Sequence, residues 1–111
     1  METIKALFVI ANAGYAEEII SLARSVGVLG ATILNARGEG AGAHHKSVLG
    51  ITVDTEKEIL LILTDADTAE RAMAAIKQDM GRGSKAHGIC FTLPVERVVG
   101  LASCPDKGGT A

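Results

Sequence analysis

The chain has 111 residues, enough for one compact domain and too few for two ordinary ones. Its residues are 48% hydrophobic but only 3% aromatic, so we expect an aliphatic core. Eleven Lys and Arg against thirteen Asp and Glu give a net charge of −2. Because the chain has neither a basic excess nor aromatic side chains on which bases could stack, we do not expect nucleic-acid binding.

The sequence predicts a soluble, cytoplasmic protein. The longest aliphatic run, Ile59 to Leu63, is far shorter than the roughly 20 residues that span a membrane, so no direct membrane insertion is expected. Residues 1–5 lack the basic and then apolar pattern of a secretory signal. Two cysteines, Cys90 and Cys104, form neither a disulfide framework nor a spaced metal-binding motif.

Hydrophobic periodicity and glycine positions predict six elements along the chain. They are a strand at 4–11, a helix at 16–26, a strand at 31–36, a strand at 59–63 that reaches back through Ile51 and Val53, a helix at 68–80 and a strand at 89–93. After Pro94 we expect one short turn at 95–98 and a last extended stretch at 99–101. The tail, residues 103–111, is poor in apolar residues and is expected to be frayed.

An internal repeat organises these elements. A shift of 53 residues places Leu7–Asn12 on Leu60–Asp65, and Tyr15–Glu18 on Thr68–Arg71. A strand, a short polar turn and a charged helix start therefore occur twice. Two such interleaved units predict an α+β, ferredoxin-like βαββαβ domain over residues 1–102, with a four-stranded antiparallel sheet and two helices on one face.

The predicted strands are apolar on both sides. The two helices can cover one face of the sheet, and the chain offers no further element for the other face. We therefore expect a homo-oligomer in which sheet packs against sheet.

A glycine-rich loop joins the second and third strands. A loop as long as residues 37–50 tends to be functional or disordered, and we interpret it as a flexible recognition arm. An alternative is a connection without function. Its candidate partner-binding residues are Glu39, His44, His45 and Lys46.

A second glycine cluster follows the second helix, at residues 81–88. Its backbone N–H groups, with Arg82 and Lys85, could bind an anion such as a phosphate. It lacks the spacing of a P-loop or of a dinucleotide-binding motif. The alternative is a helix cap at Gly81 followed by a solvated basic loop.

Metal binding and catalysis have weaker support. His44, His45, His87 and Cys90 suggest a metal site, but their spacing completes no ligand set, and exposed histidines with a core cysteine are the simpler interpretation. No nucleophile is accompanied by a base, so we do not expect an enzyme. Asp54, Glu56 and Glu58 alternate along the chain and are interpreted as a solvated edge of the arm.

Taken together, these features resemble the P-II nitrogen-regulatory signalling family. The likeness rests on the βαββαβ order, on Arg37-Gly38-Glu39-Gly40, on Lys57, and on residues 91–96, and it extends over roughly residues 4–101. In that family three subunits pack sheet to sheet, a long arm (the T-loop) docks on partners, and nucleotides bind between subunits. The resemblance implies a homotrimer, a T-loop-like arm at 37–50 and a segment at 81–88 similar to the nucleotide-binding B-loop.

The effector-binding residues that these patterns imply come from both loops. They are Arg37, Gly38, Gly40, Lys57, Arg82, Gly83, Lys85, His87 and Gly88. The chain also departs from the family. Ile89 stands where a lysine grips phosphate, Gly100 and Ala102 replace two arginines, and Gly42 replaces a glutamine that coordinates magnesium and 2-oxoglutarate. The modified tyrosine of the arm has no counterpart. These losses count against sensing of ATP with 2-oxoglutarate.

The sequence therefore predicts an allosteric regulator. It would sense an adenine nucleotide (AMP, ADP or ATP), with fewer phosphates favoured, and would control a membrane transporter or a metabolic enzyme through its arm. One alternative is a metal-responsive trimer similar to the CutA divalent-cation tolerance family, with ligands from His44, His45, His87 and Cys90. Another is an interaction module that binds no small ligand.

Overall fold

The computed structural model describes residues 3–38, 56–81 and 83–101. The elements are β1 (Ile4–Asn12), α1 (Ala16–Arg24), β2 (Thr32–Arg37), β3 (Glu56–Asp65), α2 (Ala66–Met80) and β4 (Ile89–Pro94). The strands form one sheet in the order β2-β3-β1-β4, and every neighbouring pair is antiparallel. The predicted ferredoxin-like βαββαβ fold is confirmed.

The core lies between one face of the sheet and the two helices. Alternate residues of β1 and β3, among them Leu7 and Leu60, are fully buried on this face. They cluster with Ile19 of α1 and Ile76 of α2, which are also fully buried. Because neighbours in register share a face, this arrangement places both helices on one side of the sheet. The core is aliphatic, as composition predicts.

The other side of the sheet, here called the open face, is apolar, and neither helix of the described residues covers it. Its residues are Ala6, Phe8, Ile10, Leu34, Ile59, Leu61, Leu63, Ile89, Phe91 and Leu93. Ile89, Leu93 and Leu34 are 61%, 48% and 45% exposed. The expectation of a sheet that is apolar on both sides is therefore confirmed.

The helix boundaries follow from local hydrogen bonds. Helix α2 begins two residues before the predicted start, because the Asp65 carboxylate caps it by accepting from the Thr68 N–H at 3.0 Å. Helix α1 ends at Arg24 rather than at Val26. Its last turn tightens as the Val26 N–H donates to the Ala23 carbonyl, and Gly27 then adopts a φ of 116° that favours glycine.

Two further predictions on strands can be compared with the structure. β3 extends back from Ile59 to Glu56, as predicted, and its charged residues pair in register with Arg37 and Asn12 on the flanking strands. The expected extended stretch at 99–101 is wrong, since residues 95–101 form neither strand nor helix and Gly100 has a φ of 94°. Residues 51 and 53, most of the arm and the tail lie outside the described residues. Neither α1 nor α2, the helices of the described ranges, has the length and hydropathy to span a bilayer.

Candidate functional site

One end of the sheet gathers most of the predicted effector-binding residues. In this antiparallel order β1 and β2 finish at the end of the sheet where β3 and β4 begin, which we call the site end. Asn12 lies opposite Lys57, and Arg37 lies opposite Glu56. The loop of residues 83–88 leads into β4 at this site end, so the base of the arm and the second glycine cluster lie at the same end of the sheet.

Lys57 lies across the base of the arm. Its half-buried side chain passes over Gly38, where a Cβ would lie 2.7 Å from the Lys57 Cε. The Lys57 Nζ then donates a hydrogen bond to the Asn12 Oδ1 at 2.6 Å. The first glycine of the arm therefore makes room for this lysine, and the lysine connects the end of β2 with the end of β1.

Asn12 continues this connection to the second loop. Its Nδ2 donates to the Lys85 carbonyl at 2.8 Å, and its backbone N–H donates to the Ala86 carbonyl at 2.9 Å. The sequence analysis did not single out Asn12 as a site residue. A signal was present, because Asn12 is the polar residue that ends an apolar strand and it matches the helix-capping Asp65 in the internal repeat.

The 83–88 loop is a compact turn. The Ser84 N–H and Oγ both donate to the Gly81 carbonyl, at 3.0 and 2.7 Å, and the Gly88 N–H donates to the Met80 carbonyl at 2.8 Å. Ala86 is only 1% exposed and anchors the loop in the core, while the Lys85 and His87 side chains are exposed. These contacts agree with the interpretation of a helix cap at Gly81 followed by an exposed basic loop. Anion binding by this loop stays a prediction.

Glu58 adds a carboxylate to the same end of the sheet. It is half-buried, and its Oε1 accepts from the Gly14 N–H at 3.0 Å in the turn between β1 and α1. Glu58 is therefore partly solvated, as the sequence suggests, and in addition it accepts a hydrogen bond that holds this turn. The exposed turn needs a hydrogen-bond acceptor, and the strand register brings Glu58 beside it. Glu56 is exposed, and Asp54 lies outside the described ranges.

The family model for Nitrogen regulatory protein P-II matches residues 4–103. The chain belongs to the P-II family. The resemblance drawn from the sequence is thus confirmed, and P-II proteins are signal-transduction regulators rather than enzymes. No curated protein sequence matches the chain significantly.

Solved structures of P-II proteins have the same fold. GlnK of B. subtilis is 14% identical, with a TM-score of 0.68 over 91% of this chain and 92% of that chain. A PII-like signaling protein of Thermus thermophilus is 17% identical, with a TM-score of 0.64 over 85% of this chain and 87% of that chain. At these identities the similarity supports the fold.

Seven of the nine candidate effector-binding residues lie at one end of the sheet, where β1 and β2 end. Arg37, Gly38, Lys57, Gly83, Lys85, His87 and Gly88 all lie at the site end of the sheet. Gly40 and Arg82 lie outside the described residues, as do the partner-binding residues Glu39, His44, His45 and Lys46. Ile89, at the place of a P-II lysine, is exposed on the open face.

Little in the described part of this P-II chain supports a metal site. Residues 3–38, 56–81 and 83–101 contain no group of three or more His, Cys, Asp or Glu that could hold a metal ion. Cys90 is half-buried opposite Val9 and packs against the core, as the sequence suggests for a small core residue. Burial raises the pKa of its thiol, so less of the reactive thiolate is present at a given pH.

Proposed function

We propose that this P-II protein is a homotrimeric regulator that binds an adenine nucleotide between its subunits and controls a partner protein through the arm of residues 37–50. One observation carries the proposal. At the site end of the sheet, Lys57 and Asn12 join the base of the arm to the exposed, basic 83–88 loop. A ligand bound at this place would contact both segments.

The open face supports assembly. Contiguous exposed apolar surface marks an interaction site, and a second copy of the same sheet offers a matching apolar surface. Ile89, Phe91 and Leu93 of the edge strand β4 are each more than 40% exposed in the single chain. Packing sheet to sheet would bury them, and it would create clefts between subunits at the edges of the sheet.

The charges at the site end support an anionic ligand. Lys57 and Lys85 are cationic, and the backbone at Gly83 is open, with no atom within 4 Å of a Cβ built there. Ammonium groups and exposed backbone N–H groups both bind phosphate oxygens. Because Ile89 and Gly100 supply no charge where related proteins have cations, we expect AMP or ADP to bind more tightly than ATP.

The position of Lys57 supports control through the arm. The lysine packs over Gly38, the last described residue before the arm. A ligand that engages Lys57 would interact differently with different arm conformations, and this difference is what shifts their populations. A membrane transporter or a metabolic enzyme is the partner that we propose from the family.

Isothermal titration calorimetry tests the nucleotide proposal. AMP, ADP, ATP and a cyclic nucleotide are titrated separately into the wild type and into the variants Lys57→Met, Arg82→Ala and Lys5→Met. Lys5 is the matched control, because it lies near the opposite end of β1, facing Thr64 and Pro94. Loss of a charge-assisted hydrogen bond costs about 1.5–3 kcal/mol, so we expect affinity to fall about tenfold or more in Lys57→Met and in Arg82→Ala.

Several outcomes would contradict the proposal. Absence of heat with every nucleotide would leave the interaction module as the better explanation. Equal binding by Lys57→Met and Lys5→Met would remove the candidate site from consideration. Heat with zinc or copper alone, abolished by His44→Ala with His45→Ala, would favour the metal-responsive trimer.

A further inference from the structure

We infer that Asn12 is a positioning residue that couples Lys57 at the base of the arm to the 83–88 loop, so that the two segments act on an anionic ligand as one unit. The ligand part of this inference rests on the proposed function. The coupling itself is a property of the ligand-free chain and is testable without any ligand.

The Asn12 carboxamide uses both of its ends. Its Oδ1 accepts from the Lys57 Nζ at 2.6 Å, and its Nδ2 donates to the Lys85 carbonyl at 2.8 Å. Lysine is only a donor and a carbonyl is only an acceptor, so the reversed amide would lose both hydrogen bonds. The two hydrogen bonds therefore fix one orientation of the side chain. Either bond orients the amide so that the other bond can form.

This arrangement joins segments that are far apart in sequence. The bond to Lys57 spans 45 residues and the bond to Lys85 spans 73. The backbone N–H of Asn12 also holds the Ala86 carbonyl at 2.9 Å, so the loop is attached to β1 at two neighbouring carbonyls. Asn12 is thus bonded both to the base of the arm and to the loop.

The same contacts hold Lys57 ready for a ligand. A lysine side chain has many rotamers and loses much conformational entropy when a ligand immobilises it. Here the stem already packs over Gly38 and the Nζ is already bonded to Asn12. An ammonium group has three donors, so two remain for an anion after Asn12 takes one. Preorganisation of this kind raises affinity without adding a contact.

Hydrogen exchange measured by NMR on the ligand-free protein tests the coupling. The reporters are the amides of His87 and Gly88, whose N–H groups donate to the Ser84 and Met80 carbonyls. Lys57→Met removes the ammonium on β3 and touches none of these loop bonds. If Asn12 transmits the change, protection of both amides should fall about 3- to 10-fold, the loss expected for a released hydrogen-bonded contact.

Two further variants, Lys5→Met and Asn12→Ala, complete this experiment. Lys5→Met makes the same chemical change at a distant place on β1, and we expect it to leave the loop amides unchanged. Asn12→Ala should lower protection at least as far as Lys57→Met does, and the double variant should lower it no further than Asn12→Ala alone. Equal protection in Lys57→Met and Lys5→Met would overturn the inference, even if Asn12→Ala failed to fold.

Titration with ADP then separates this inference from the proposed function. Asn12→Asp keeps an acceptor for Lys57, loses the donor to the Lys85 carbonyl and adds a negative charge, so we expect its ADP affinity to fall at least about tenfold. If ADP fails to bind the wild type, the proposed function fails while the exchange data still decide the role of Asn12. If ADP binds and Lys57→Met leaves the loop amides unchanged, the role of Asn12 alone fails.

Discussion

The rings of Phe8 and Phe91 stack across the neighbouring strands β1 and β4, with centroids 5.2 Å apart and ring planes within 5° of parallel. Both rings lie on the open face, opposite the aliphatic core. Stacked rings present one continuous apolar surface, and Phe91 is still 41% exposed. Two of the three aromatic residues of the chain thus lie where a second copy would cover them.

Phe91→Glu should prevent assembly. A carboxylate on the open face would have to be desolvated between two apolar sheets, which is strongly unfavourable. We expect light scattering to give the mass of a trimer for the wild type and of a monomer for the variant. Leu29→Glu is the control, because Leu29 is 67% exposed and lies outside the sheet. A wild type that is monomeric at all concentrations would contradict the proposed trimer.

Gly38→Ala should affect ligand binding more than stability. Its Cβ would lie 2.7 Å from the Lys57 Cε, and since that atom belongs to a flexible side chain, the lysine can move aside. We expect the free energy of unfolding to change by less than about 1 kcal/mol, while ADP affinity falls several-fold. Gly30→Ala, which meets no atom within 4 Å and lies before β2, away from the candidate site, is the matched control for calorimetry and denaturation.

Gly88→Ala should lower stability more than Gly38→Ala does. Its Cβ would lie 2.6 Å from the Met80 carbonyl oxygen, a backbone atom that cannot move aside alone. We expect urea denaturation to show a loss of about 1–3 kcal/mol, as for other overpacked positions. Stability equal to that of Gly30→Ala would show that the loop tolerates a side chain there.

Asp65 should make stability depend on pH in the acidic range. Partial burial raises the pKa of this carboxyl, but hydrogen bonds from the Thr68 Oγ1 and N–H and the charge of Arg71 outweigh it, so the pKa lies below its ordinary value of 3.8. A carboxyl with a lowered native pKa stabilises the fold fully above its unfolded pKa. This stabilisation is lost as the pH falls through the native pKa.

Denaturation at neutral pH and near pH 3 measures this effect. Asn is also a good helix cap, so Asp65→Asn should cost little at neutral pH and should lose less stability on acidification than the wild type. Asp65→Ala should cost about 1 kcal/mol at neutral pH. Asp67→Asn, exposed in the same helical turn, is the control. If Asp65→Asn keeps the full acid dependence of the wild type, the effect arises from other groups.

Cys90 should react slowly as a nucleophile. Its thiol is half-buried and burial raises its pKa, so less thiolate is present at a given pH. In a Cys104→Ser variant, Cys90 is the sole thiol of the chain. We expect its alkylation by iodoacetamide near pH 8 to be at least about tenfold slower in the folded protein than in urea. Equal rates in the two conditions would show that the thiol is freely accessible.

The fold could be predicted from the sequence because the hydrophobic patterns that specify it are local and occur twice along the chain. The 53-residue repeat predicted that β1 and β3 are equivalent. Because the strands are apolar on both sides, the sequence did not show that Leu7 and Val9 face the helices, as they do in the structure. The ends of the helices and strands were harder to predict than their existence. Helix α2 begins at Ala66 rather than at residue 68, because the Asp65 side chain caps it, and hydrophobic periodicity does not contain this hydrogen bond.

The site was only partly predictable. Glycine clusters indicated the loops at 37–50 and 81–88, and the resemblance to P-II proteins added Gly38 and Lys57 as candidate effector-binding residues. Asn12 escaped attention because an asparagine after an apolar strand is ordinary turn chemistry. Its importance depends on residues 45 and 73 positions away, which the fold alone brings together.

The order of the strands also determines how the two repeated halves depend on each other. In the first half β1 and β2 are separated by β3, and in the second half β3 and β4 are separated by β1. Among the strands of the described ranges, every pairing therefore joins one half to the other, and neither half has a strand pair of its own. A chain cut within the arm would yield two fragments that acquire structure only by recombining, so the protein is suited to fragment complementation.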